Sequence, residues 1–357
     1  MVEVDWASLP PDLIRHVADC LLATNDIDYY IDMRGVCCNW RAAMADPCRP
    51  GADSNLLVFH PRQWIMLDEH SKDEHRLFFN VSTGRFLRRR LPLPWGHLVV
   101  RASDGLVILG QIKRPHAACV LNPFTGSLIR FAVSIRPEHI RMNAVTCSEP
   151  MLVVYSWVNR TLRCADPTSS NFISVQLSHP GQYKVQSMVS YAGHVYVANM
   201  EGSVFKIVGT AQHCYGELIA QIPSCELTAN IPNKSTFFLV ESSGDLLLIQ
   251  DSHRGIFQIF RVDVERNRLQ AVKSIGSRAL FLGPRSLSVD AKNLPSIHSD
   301  CLYYNCKSGM YIYDLKDGTE STICSLYVAL TFKIRPKSLD EVLLLYCMLG
   351  PNLKWTR

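Results

Sequence analysis

The chain has 357 residues, 47% of them hydrophobic and 19% charged, with a formal net charge of +5. This is a globular composition, long enough for one large domain and a small one, and it excludes a disordered or low-complexity polypeptide. Lys and Arg are spread along the whole length rather than gathered on one face or tail, which argues against a dedicated nucleic-acid surface.

The N-terminal stretch MVEVDWASLPPDLIRH lacks the basic and long apolar regions of a secretory signal. The longest apolar runs, such as VLLLYCML near the C-terminus, fall far short of a bilayer span. A soluble chain of the nucleus or cytoplasm, not secreted and not membrane-bound, is therefore expected. The thirteen cysteines include no Cys-x-x-Cys pair, so they read as buried thiols in a reducing compartment, with no metal and no cofactor. His298, Cys301 and Cys306 lie close in sequence but read as a loop entering a strand. The glycosylation sequons at Asn80, Asn159 and Asn233 read as chance matches in such a chain.

In chain order, SLPPDLIRHVADCLL predicts an amphipathic helix with Ser8 as N-cap and Pro10 and Pro11 where a first turn tolerates them. Leu13, Ile14, Val17 and Leu21 follow at helical spacing. DIDYYIDMRG predicts a second short helix. VCCNWRAAMADP predicts a third, with Val36, Cys37, Trp40, Ala43 and Met44 on one stripe and Asp46-Pro47 ending it. Gly35 loosens the joint between the last two by ~1 kcal/mol relative to Ala. Three short helices carry more apolar surface than they can bury among themselves, so this head, residues 1–48, calls for a partner.

Residues 49–54 read as a linker, and from 55 to 357 the texture is that of short strands between turns. The turns are STG (82–84), SDG (103–105), FTG (124–126), YAG (191–193), SSG (242–244), KSG (307–309) and KDG (316–318). NVSTGRFLR and NPFTGSLIR share Asn, Thr, Gly and Arg and sit 42 residues apart, the period of one propeller blade. Gly84 and Gly126 should thus occupy equivalent turns of successive blades. A mainly β chain with a closed propeller of six or seven blades follows, a pair of β-sandwiches being the alternative. RFLRRR (85–90) reads as a solvated strand end or, more sharply, an anion-binding or nuclear-import patch. DEVLLLYCML is expected to form a strand that pairs with NLLVFH and closes the ring, because an open propeller exposes a long edge.

The head resembles an F-box through its Leu-Pro start, apolar first helix and Val-Cys-x-x-Trp-Arg third helix. The body, through LFFNVSTGRFLRRRLP, SDGLVIL, LNPFTG, ALFLGPRSLSVDA and YIYDLKDGT, resembles the C-terminal domain of a large plant F-box family with a Kelch-like propeller. The resemblance implies that the head docks on a Skp-family adaptor, which tethers the protein to a cullin scaffold, while the propeller holds an unknown protein target for ubiquitination. The implied adaptor contacts are Leu9, Pro10, Leu13, Ile14, Val17, Leu21, Val36, Cys37, Trp40 and Arg41. Within them Cys37 is a small apolar contact beside the Trp40 anchor, and Cys38, ~100° around the helix, points elsewhere.

An enzyme remains to be weighed, since propellers also host hydrolases and oxidases. No nucleophile elbow, His-Glu-x-x-His, Walker loop or dinucleotide turn is present. Asp104, Asp245, Asp251, His253 and Asp314 could converge at a channel, but each lies beside a turn where such side chains cap the backbone. The expectation is a non-catalytic receptor subunit, with an adaptor-independent protein that sequesters a partner as the alternative. Candidate target-binding loops are AVSIRPEHI, GTAQHCYGE and DAKNLPSIHSD.

Overall fold

The computed structural model describes residues 6–47, 58–69, 74–135, 140–146, 149–156, 158–177, 184–210, 213–223, 235–252, 256–306, 309–325 and 338–348. The whole of the 49–54 linker, the first half of NLLVFH, the first two residues of the KSG turn, Asn233 and His253 lie outside them, as do parts of the loops AVSIRPEHI and GTAQHCYGE.

Six antiparallel-rich sheets follow one another along the chain. Blade 1 is β1 (Trp64–Met66), β2 (His75–Asn80) and β3 (Phe86–Arg90); blade 2 is β4 (His97–Ser103), β5 (Leu106–Gln111), β6 (Ala117–Leu121) and β7 (Leu128–Ser134). Blade 3 is β8 (Ile140–Thr146), β9 (Met151–Ser156), β10 (Thr161–Ala165) and β11 (Ile173–Ser174). Blade 4 is β13 (Val185–Tyr191), β14 (His194–Asn199), β15 (Ser203–Gly209) and β16 (Cys214–Gln221), with β12 (Gln176–Leu177) added in parallel on the outer edge. Blade 5 is β17 (Thr236–Ser242), β18 (Asp245–Asp251), β19 (Phe257–Asp263) and β20 (Arg268–Val272). Blade 6 is β21 (Arg278–Phe281), β22 (Leu287–Asp290), β23 (Cys301–Cys306), β24 (Gly309–Asp314) and β25 (Glu320–Ser325), in the order β22-β21-β23-β24-β25. The fold is a mainly β, six-bladed propeller. Its cores lie between neighbouring blades: Met142 and Val153 of blade 3 pack with Val195 and Phe205 of blade 4, and Tyr196 and Val204 of blade 4 with Phe237 and Leu248 of blade 5.

The turns fall into two classes. Those joining the two innermost strands of blades 2, 4 and 5 place two successive residues at positive φ: Asp104 and Gly105, Ala192 and Gly193, Ser243 and Gly244. That is the twist two-residue hairpin loops require. The outer turns work differently. Asn80 Oδ1 accepts the amides of Ser82 and Thr83, and Gly84, at φ +73°, donates its amide to the Asn80 carbonyl. Asn122 makes the same three bonds with Phe124, Thr125 and Gly126, and Asp314 makes them with Lys316, Asp317 and Gly318. Gly84 and Gly126 therefore do occupy equivalent turns. In blade 5 Asp263 caps the Arg266 amide and Asn267 takes the glycine's place at φ +51°. In an antiparallel meander both classes emerge from one end of the sheet, so they share one face of the disc.

Ring closure departs from the expectation. Residues 339–348 are not a strand but a helix, α4 (Leu339–Met348), the fourth after α1 (Pro11–Ala23), α2 (Ile27–Gly35) and α3 (Cys38–Ala43) of the head. Leu343, Leu344, Tyr346 and Cys347 are buried, a spacing that suits a helix wedged between two sheets. They share a core with Ile65 and Phe79 of blade 1 and Ala279, Phe281 and Val289 of blade 6. Gly283 allows the approach: a Cβ there would lie 2.5 Å from the Cys347 carbonyl oxygen.

Candidate functional site

The head is three helices preceded by a 3-10 turn, Trp6–Ser8. Ser8 closes that turn, and the N-cap of α1 is Pro10, with Pro11 following. Ile14, Ala18, Tyr30, Met33 and Met44 form a core with Phe59, whose ring lies 5.1 Å from that of Tyr30. Burial pushes the Tyr30 phenol up, while its hydroxyl donates to the Ala45 carbonyl at 3.0 Å. Arg34 donates to the carbonyls of Met44 and Ala45 at 2.8 and 2.6 Å, tying α2 to the end of α3.

The implied adaptor contacts divide into two sets. Pro10, Leu13, Val17, Val36 and Arg41 are exposed, whereas Leu9, Leu21, Cys37 and Trp40 are half-buried and Ile14 is fully buried. Ile14 thus belongs to the head's own core, and Leu9, Leu21 and Trp40 pack against it. Trp40 is also fixed by its indole N–H, which donates to the Trp6 carbonyl at 2.9 Å. The expected stripe on the third helix is also revised. Val36 caps the end of α2, and Cys37 is the N-cap of α3, its Sγ accepting the Trp40 amide at 3.5 Å. Trp6, missed by the helical pattern because it lies ahead of the first helix, joins the exposed set. Trp6, Leu13, Val17 and Val36 are 64%, 52%, 45% and 59% exposed.

The opposite side of the head is fastened to the propeller. Ile27 is buried among Trp64, Phe78 and Leu109 of blades 1 and 2. Asp28, itself buried, binds Arg85 with both oxygens at 2.7 and 2.9 Å, and the guanidinium lies 4.0 Å from the Tyr29 ring centroid and 5.2 Å from that of Trp64. Arg85, the first residue of the basic run, is therefore an anchor, while Phe86–Arg90 is the alternating outer strand. Asn122 donates its side-chain amide to the Phe59 carbonyl and Asn25 does so to that of His60, at 2.7 and 2.8 Å. Head and propeller share a core.

A second candidate lies on the ring axis, on the same face. It is a cavity of about 630 Å³, rimmed by the inner turns of blades 2, 4 and 5 and by the stretch from His60 to Gln63 that leads into blade 1. His60 Nε2 lies 2.6 Å from the Asp104 carbonyl oxygen and 3.4 Å from its carboxylate. Glu241 accepts the Gly244 amide at 3.0 Å. Arg285 is ion-paired with Glu69 and donates to the Tyr346 carbonyl at 3.0 Å; burial alone would weaken its charge, but Glu69 more than offsets this. Arg278 donates through Nε to Ser288 Oγ at 2.9 Å, and Ser288 in turn meets Ser242 at 2.8 Å. On the wall from blade 3, Asn143 has both side-chain polar atoms buried without a hydrogen-bond partner among the described residues.

Of the carboxylates that could have converged, only Asp104 lines the cavity. Asp245 pairs with Arg261 at 3.0 Å, and Asp314 caps its outer turn. Cys301 is buried and Cys306 exposed, and among the described residues no three His, Cys, Asp or Glu side chains gather as a metal site. No helix among the described residues is long and apolar enough to cross a membrane.

The family model described as KIB1-4 beta-propeller matches residues 78–327. The chain belongs to that family. The match runs from the second strand of blade 1 to just beyond the last strand of blade 6, leaving out both the head and α4. A search of curated proteins finds no match to this KIB1-4 propeller chain. Among solved structures it is similar to the computationally designed Ika8 protein at 13% identity and a TM-score of 0.34, over 72% of this chain and 73% of that one. It is also similar to a protein of unknown function from Bacteroides thetaiotaomicron, at 10% identity and a TM-score of 0.32, over 72% and 67% of the two chains. Hsv2 of Kluyveromyces lactis gives 10% identity and a TM-score of 0.30, over 60% and 83%.

Proposed function

We propose that the protein is the substrate-recognition subunit of a cullin-based, SCF-type ubiquitin ligase, working without catalytic groups of its own in the nucleus or cytoplasm. The head acts as an F-box and docks on a Skp-family adaptor, and the Kelch-like propeller, of the plant type, binds the target protein. The observation that carries this reading is the apolar set Trp6, Leu13, Val17 and Val36, left in solvent on a small helical head whose other side is fastened to the propeller. Large exposed apolar side chains on a helix mark a partner surface. The fastening adds a reason for the geometry: a receptor delivers its target by position, so a rigid joint between docking head and binding body is what the task requires.

A second reading, an adaptor-independent propeller that sequesters a partner, is favoured by the inward packing of Ile14, Leu9, Leu21 and Trp40, which shrinks the exposed face relative to the one the sequence implied. One experiment separates the two. Purified full-length protein is titrated with a Skp-family adaptor, alongside a Leu13→Asp, Val17→Asp variant whose changes lie outside the head's core. Binding by the parent and a loss on the order of 2 kcal/mol or more in the variant support the receptor reading. No binding by a folded parent leaves the sequestering reading.

A further inference from the structure

We propose that the axial cavity is a binding site for a small organic oxyanion, a carboxylate or phosphate that also carries a hydroxyl or amide, with Arg278 as its anchor and Asn143 as its second contact. The inference goes beyond the ligase reading and does not depend on it.

The unpaired arginines of the wall point to an anion. Asp104 faces His60, Glu241 caps the Gly244 amide, and Arg285 is neutralised by Glu69. Arg62 and Arg278 have no carboxylate partner among the described residues; Arg62 is exposed and donates through Nε to His60 at 3.4 Å. Arg278 is the more informative. It is half-buried at the head of β21, and burial works against its charge, with Asp290 and Glu241 only partly opposing. A half-buried guanidinium with no carboxylate in ion-pairing contact among the described residues is incompletely compensated, and an oxyanion arriving from outside relieves it.

The arrangement is also oriented. Nε is held by Ser288, and Ser288 by Ser242, so the fork is fixed, while Nη1 and Nη2 have no hydrogen-bond partner among the described residues. Two parallel N–H donors of that kind match the two oxygens of a carboxylate or phosphate. Asn143 supplies the other end. Its side chain is more than nine-tenths buried, lines the cavity, and has both a donor and an acceptor unmet. Buried amides are almost always satisfied, and a ligand hydroxyl or amide would satisfy this one. The volume, about 630 Å³, is that of a small-molecule pocket.

The test uses the full-length protein, with citrate as the carboxylate probe and glucose 6-phosphate as the phosphate probe. Glucose and sodium chloride at matched ionic strength are the controls, read by thermal denaturation and titration calorimetry. Saturable binding of one anion, absent with both controls, is expected, and which probe binds separates carboxylate from phosphate. Arg278→Gln should weaken that binding on the order of 10- to 100-fold. Without ligand, Arg278→Leu should melt higher than the parent, because it removes an uncompensated charge. Should Arg278→Gln fail to fold, Asn143→Leu carries the same comparison. The proposal is overturned if neither anion binds, if a folded Arg278→Gln binds as well as the parent, or if unliganded Arg278→Leu melts lower, since the arginine would then be a structural brace.

Discussion

The outer turns and the seam between blades 6 and 1 show two ways of building one ring. At the outer turns of blades 1, 2, 5 and 6 an Asn or Asp caps the backbone and a residue four positions on sits at positive φ. The chemistry is local, so it recurs in sequence as the structure recurs. At the seam, blade 1 has three strands among the described residues, and α4 packs beside it with Leu343 and Leu344. Here the demand is for volume rather than for a particular backbone conformation, and several kinds of element could meet it. A repeat fold is regular where the backbone dictates the residues and improvised where a packed core accepts whatever fits.

The sharpest way to break this contrast is to charge the seam. Leu343→Asp with Leu344→Asp buries two carboxylates among Ile65, Phe281 and Val289, at an expected cost well above 4 kcal/mol. Calorimetry should show loss of the single cooperative transition; an unchanged profile would mean the blades close the ring without α4. Next comes Glu69→Ala, which leaves the enclosed Arg285 without its carboxylate and should cost about 3–5 kcal/mol by denaturant titration. Glu69→Gln, which keeps an acceptor, should cost less.

Smaller effects belong to the turns. Gly126→Ala forces a side chain into the left-handed region and should cost about 1 kcal/mol. Asn267→Gly at the equivalent place in blade 5 should be neutral or stabilising by a few tenths of a kcal/mol, since it removes that same strain. Equal losses from both would end the equivalence. The smallest effect is at Asp166, which caps the β10–β11 turn. Burial would raise its carboxyl, but bonds from the hydroxyls and amides of Thr168 and Ser169 hold it below the usual value. A depressed carboxyl stabilises the fold above the unfolded value, ~3.9, and loses that contribution as pH falls through the lower, folded value. Asp166→Asn should therefore narrow its stability difference from the parent only in acid, measured by urea titration from pH 6 to pH 2.

What could be read from the chain follows the same division. The 42-residue spacing of NVSTG and NPFTG marks real blades because Asn80 and Asn122 do the same work. The turn list, however, mixed two structural classes, because a Gly after a polar residue serves a hairpin and a capped turn alike. The three head helices were legible from apolar spacing, but which face turned inward was not. Ile14 and Leu13 are neighbours in a hydrophobic run, and only packing against Phe59 decides that one is core and the other surface. VLLLYCM fits strand and helix equally, and the choice falls to the gap it fills. The Asp28–Arg85 joint leaves no sequence signal, since its two members lie 57 residues apart.

The closing helix has a consequence for how the protein comes into being. Residues 339–348 are made after every blade, so the hydrophobic flank of blade 1, including Ile65, lacks this cover while the other five blades are synthesised, and that of blade 6, including Phe281, lacks it for the last few seconds. At about 5–20 residues per second the flank of blade 1 waits uncovered for many seconds, an interval in which exposed apolar surface is prone to aggregate.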